Sequence, residues 1–253
     1  MMFVTTLFFA TAFADTETVV VEAWPTYEMD TTAYVGAARV RLRADSDLES
    51  EALGILPMTA PVTVIEDGEE WVHVRTDNGL EGYVSRPLLT AGVLEYDLGD
   101  DGIADKIVAT FDAEQNLVLR VLEGDKITRS RLEGVDMHYV TLSVLDRWEA
   151  GVPMIRVETP DREACGESQH RHFFSYQNGK LRAAISEYEF SDVPYYSRES
   201  VQFLPSSQTA IRTSVSGDYD EGDHRVEVDI LEFRDGVYVS RAQADLELIT
   251  APW

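Results

Sequence analysis

From Ala33 to about Thr90, apolar and polar residues alternate with a period of two. Val40-Arg41-Leu42-Arg43, Val62-Thr63-Val64-Ile65 and Trp71-Val72-His73-Val74 put successive side chains on opposite faces. Gly82-Tyr83-Val84 follows the turn signal Asp77-Asn78-Gly79, and further turn residues stand at Asp45–Asp47 and Asp67-Gly68. Closely spaced short strands without a helical period predict a small β-barrel or sandwich.

The stretch 93–253 is also strand-like, with another rhythm. Apolar runs predict strands at 106–111, 117–122, 138–144, 154–157, 171–176, 181–186, 200–204, 209–215, 226–233 and 237–242. Asn116, Asn178-Gly179 and Asp235-Gly236 mark hairpin turns between them. No amphipathic helix of ten residues or more is evident. The expected fold is therefore all-β: a small barrel followed by a larger antiparallel domain, open or sandwich-like. Acidic, turn-like segments at 146–154 and 218–223 echo the loop at 97–105, so degenerate propeller-type repeats are the alternative.

Phe3 to Ala14 is apolar and uncharged, too short to span a bilayer, and ends in Ala12-Phe13-Ala14 before Asp15. That pattern is a secretory signal with cleavage after Ala14, and no second apolar run is long enough to anchor the chain. Export to a periplasmic or extracellular location is the expectation. Residues 15–32 read as a linker with one short strand at Val19–Val21 and a Trp24-Pro25 break. The expected organisation is signal peptide 1–14, linker 15–32, first domain 33–90 and second domain 93–253.

Charge narrows the choice of partners. Forty-six acidic residues against 21 basic ones give a net charge of −25. Such a surface repels phosphate backbones and anionic headgroups, and favours divalent cations and cationic ligands. The single cysteine, Cys165, excludes an intramolecular disulfide framework.

Over 33–90 the residues resemble a bacterial SH3 (SH3b) domain. Arg41-Leu42-Arg43 sits where that family has Asn-Val-Arg, and Leu53-Gly54-Ile55-Leu56 and Val62-Thr63-Val64-Ile65 follow as its next strands. Glu70-Trp71-Val72-His73-Val74 matches the Trp-bearing strand. Gly79-Leu80-Glu81-Gly82-Tyr83-Val84-Ser85 with Leu88 matches the closing motif, with Tyr83 in place of a second Trp. The resemblance implies an SH3-like barrel that contacts peptidoglycan or an envelope peptide. Tyr34, Trp71 and Tyr83 are the candidate ligand-binding residues. The tyrosines offer a ring face with a polar end, while Trp71 suits either core or groove.

Asp97, Asp101 and Asp105 stand at the first, fifth and ninth positions of one loop, with Gly102 allowing a tight bend. With the Ile103 carbonyl they are a candidate Ca²⁺ set. The loop resembles the calcium loop of FG-GAP (integrin-α-like) repeats, departing at Gly99 where a side-chain oxygen is expected.

Cys165, His170 and His172 offer at most three metal ligands, and Glu187/Glu189 could suggest a carboxylate pair. The Cys/His spacing matches no closed metal site, and with this many carboxylates an acid pair is expected by chance. No nucleophile elbow, zincin helix, phosphate loop or dinucleotide fingerprint occurs. The expectation is an exported, non-enzymatic binding protein. The alternative is an envelope-acting hydrolase with its active site in 93–253.

Overall fold

Strand-forming alternation is realised along nearly the whole chain. The computed structural model describes residues 17–133, 139–159, 167–192, 195–218 and 223–249. The apolar leader 3–14, Cys165 and most of the 218–223 segment lie outside them.

The first unit contains β2 (Thr32–Val35), β3 (Val40–Arg43), β4 (Ala52–Leu56), β5 (Pro61–Asp67), β6 (Trp71–Thr76), β7 (Glu81–Ser85) and β8 (Leu89–Thr90). They pair in the order β4-β3-β7-β6-β5-β2-β8. Bulges between Leu42 and Arg43 and between Val64 and Glu66 sharpen the curl. The sheet wraps a core of Val35, Leu42, Val64, Val74 and Val84. It does not close, however: β4 and β8 remain edges, so the expected barrel is a curled open sheet. β3 reaches β7 through one residue pair, Arg43 and Tyr83, where Gly82 leaves room for the Arg43 carbonyl.

A second sheet, β12-β11-β10-β9, comprises β9 (Leu94–Tyr96), β10 (Asp105–Phe111), β11 (Leu117–Glu123) and β12 (Lys126–Leu132). The third begins with β1 (Thr18–Glu22), then β13 (Tyr139–Leu145), β14 (Met154–Glu158), β15 (Glu167–Gln177) and β16 (Lys180–Asp192). It continues with β17 (Tyr195–Leu204), β18 (Thr209–Asp218), β19 (Asp223–Arg234) and β20 (Val237–Ile249), all antiparallel. Ile107, Phe111, Leu117 and Leu119 of the small sheet share one core with Val140, Leu142, Ile155 and Phe174 of the larger one. The result is a β-sandwich at one end of a long sheet. Beyond it the sheet curls back on itself: Ser175 Oγ donates to the Gly236 carbonyl at 2.6 Å, and Phe173, Phe203, Phe233 and Tyr238 fill the fold.

The short strand expected at Val19–Val21 within 15–32 is β1, which pairs with β13 from Thr18↔Ser143 to Glu22↔Tyr139, and Tyr27 of the same stretch enters the core of the first unit. The 146–154 segment is not a repeat of the acidic loop. It holds the single-turn helix α1 (Arg147–Ala150), whose Asp146 and Glu149 form a capping box, with Gly151 left-handed at its end. Strands β13 to β20 run on as one sheet, so the described residues show no succession of four-stranded blades.

β10 is buried on both faces. Ile107, Ala109 and Phe111 face the sandwich core, while Val108 and Thr110 are buried on the opposite side. There Gly36 lies so close to Thr110 that a Cβ would overlap the threonine methyl. Among the described residues, no helix is long and apolar enough to cross a membrane.

Candidate functional site

The β5–β6 turn and the segment before β2 are joined by one buried side chain. Arg86 is 3% exposed. Its Nη1 donates to the Pro25 carbonyl, Nη2 to Asp67 Oδ1 at 2.5 Å and to the Gly68 carbonyl, and Nε to the Glu69 carbonyl at 2.9 Å. Asp67 Oδ2 accepts from the Tyr27 amide at 3.1 Å, closing the link. The guanidinium carbon also lies 5.7 Å from the centre of the Trp24 ring, a cation–π contact. One arginine thus fixes both Trp24 and the turn leading into Trp71.

Between these two tryptophans lies a surface cleft of about 410 Å³. Trp24, Trp71, Leu48 and Pro87 give it apolar walls, and Asp47 and Glu70 place carboxylates at it. Trp24 is 52% exposed. The arrangement suits a ligand with an apolar body and a positive group, since aromatic faces and carboxylates both attract cations.

Trp71 is half-buried, on the face of β6 opposite the core residues Val72 and Val74. Tyr83, on the adjacent strand, stacks on His73 with centroids 4.7 Å apart. Tyr34 lies on β2, separated from β6 by β5, and does not line the cleft. The fold therefore gathers Trp71 into a cleft and leaves Tyr34 and Tyr83 outside it. Sequence reasoning missed Trp24, Leu48 and Pro87. The one local signal was a tryptophan in an acidic segment read as a linker.

In the 97–105 loop three carboxylates have backbone donors, and Asp100 pairs with Arg147 at 2.9 Å. Asp97 accepts from the amides of Asp101 and Gly102, Asp101 from Ile103, and Asp105 from Leu98 at 3.0 Å. Burial pushes the Asp105 carboxyl above its usual range, against the lowering effect of the Leu98 and Gly99 amides. Among the described residues no three His, Cys, Asp or Glu side chains gather as a metal-holding group.

His170 and His172 share a strand face, as their spacing implies, with ring centroids 6.1 Å apart. Burial lowers both, His172 to about 4 with His170 adding repulsion. Glu187 accepts from the Val201 amide at 2.6 Å and from Arg171 at 3.3 Å, while Glu189 faces Arg198 at 3.8 Å. These carboxylates have structural partners.

The family model of the bacterial SH3 domain matches residues 38–90, from β3 to β8. The resemblance read from Arg41 to Leu88 is borne out over that stretch. No curated protein and no solved structure matches the chain.

Proposed function

We propose that the protein is an exported, non-enzymatic binding protein whose SH3-type unit engages a cell-envelope ligand, peptidoglycan or an envelope peptide. The Trp24–Trp71 cleft carries this reading: two aromatic rings and two carboxylates border one open cleft, with Trp71, Asp47 and Glu70 inside the stretch that matches a bacterial SH3 domain and Trp24, from the preceding segment, held against it by Arg86. Aromatic anchors of this kind dominate binding energies when a ligand covers them. Sedimentation of the purified chain with peptidoglycan is the test. Trp71→Ala and Trp24→Ala each weaken retention about tenfold or more, and retention unaffected by both refutes the assignment. Turnover of the peptidoglycan would favour a hydrolase instead. Export is tested separately: protein from the periplasm or medium begins at Asp15.

Calcium at the 97–105 loop is a further part of the proposal. After burial, the charges of Glu123 and Asp101 also raise the Asp105 carboxyl, and a divalent cation would relieve that repulsion. Each carboxylate oxygen retains a lone pair beyond its amide bond. Millimolar calcium then raises the melting temperature, and Asp101→Ala abolishes the rise. A melting curve indifferent to calcium and EGTA leaves the loop as a hydrogen-bonded turn.

A further inference from the structure

Trp24 borders two clefts. A second cleft of about 510 Å³, which Trp71 does not line, is bordered by Glu22, Thr26, Phe111, Gln115 and Tyr139, with Trp24 and Pro87 common to both. We propose that the two clefts are lobes of one groove, which takes an extended cationic peptide segment lying across Trp24 and reaching from the SH3-type unit onto the sandwich. The inference rests on the binding role proposed above and names the ligand class.

Three observations support it. First, the wall between the lobes is held from both sides: Val21 is buried in the sandwich core and Tyr27 in the core of the first unit, with Arg86 beneath Trp24. A large aromatic ring half-exposed on so constrained a segment costs little further ordering when a ligand covers it. Second, Asp47 and Glu70 border one lobe and Glu22 and Asp112 the other, with Asp112 paired to Arg131 at 2.9 Å, while none of the described lining residues is itself Lys or Arg. Arg86 lies beneath the ring, paired with Asp67. With a net charge of −25 behind it, the groove selects for positive charge. Third, the second lobe offers polar groups suited to peptide main chain, namely the Gln115 amide, the Thr26 hydroxyl and the half-exposed Tyr139 phenol.

Length dependence tests the groove. The probes are an end-blocked tripeptide, Ala-Lys-Ala, and an end-blocked heptapeptide, Lys-Ala-Gly-Ala-Gly-Ala-Lys, which spans roughly 23 Å when extended. Titration of the full mature chain should show the heptapeptide binding about tenfold tighter or more, because the second contact becomes intramolecular. Tyr139→Ala should bring heptapeptide affinity down to the tripeptide's level, and Trp71→Ala should weaken both peptides. Equal affinity for the two lengths, or a heptapeptide affinity that Tyr139→Ala leaves intact, overturns the two-lobed groove. If neither peptide binds while the chain still sediments with peptidoglycan, the ligand class is wrong and the binding role stands; loss of sedimentation as well defeats both.

Discussion

Arg86→Met tests the claim that one guanidinium assembles the cleft. Methionine keeps much of the apolar stem, so the change isolates the charged head. The head donates to three backbone carbonyls and to Asp67, at a site where the Arg86 side chain is 4% and the Asp67 side chain 22% exposed. Removing one partner of a buried pair costs about 3–5 kcal/mol, because the remaining groups stay desolvated without their donor. Part of that loss is offset where water reaches Asp67, which keeps the Tyr27 amide. For a chain of this length the cost corresponds to a fall in melting temperature of roughly 6–20 °C. Urea unfolding followed by tryptophan fluorescence measures it, since Trp24 and Trp71 both report on this region. Arg86→Lys retains the charge without the planar fork and should fall between wild type and Arg86→Met. A loss below about 1 kcal/mol for Arg86→Met would mean that the hydrogen bonds contribute no more than surface contacts do, and the reasoning would fail.

Other perturbations probe separate parts of the fold. Tyr27 Oη is buried with no hydrogen-bond partner among the described residues, so Tyr27→Phe should gain roughly 1 kcal/mol in urea unfolding; a loss of similar size would reveal a bond to the hydroxyl. His172 is lowered to about 4 chiefly by burial, so the unfolded state binds its proton first as pH falls. Stability from this group is complete above about pH 6.5 and is lost toward pH 4, by about 2 kcal/mol after allowing for solvent screening, and His172→Gln should flatten that limb of the pH profile. Gly36→Ala should destabilise by about 1–3 kcal/mol, because its Cβ meets Thr110 on a strand buried on both faces; a neutral result would show that the two units can separate there at little cost.

Period-two alternation and turn residues determined most strands, since a strand's inward face must be apolar wherever it meets a core. The hairpins at Asn178-Gly179 and Asp235-Gly236 lie where the turn residues indicate, and the arms beside them run longer than the apolar runs alone suggest. Backbone pairing carries a strand past the last buried side chain, as in β16, which extends to Asp192. β12 escapes the apolar pattern because Lys126–Leu132 is largely exposed and takes its strand form from pairing with β11. The helical turn at Arg147–Ala150 was not read from the sequence, where 146–154 looked like an acidic loop, although Asp146 and Glu149 stand at capping-box spacing. Other features depended on contacts distant in sequence. β1 became part of the third sheet by pairing with β13, and the first unit stayed an open curl because no ladder joins β4 to β8. The cleft required Arg86 to reach the Pro25 carbonyl, 61 residues away in sequence, and so to bring Trp24 beside Trp71. Local alternation specifies which faces are apolar; which of those faces meet, and which aromatic rings are left at the surface between them, is decided only when distant segments compete for the same core.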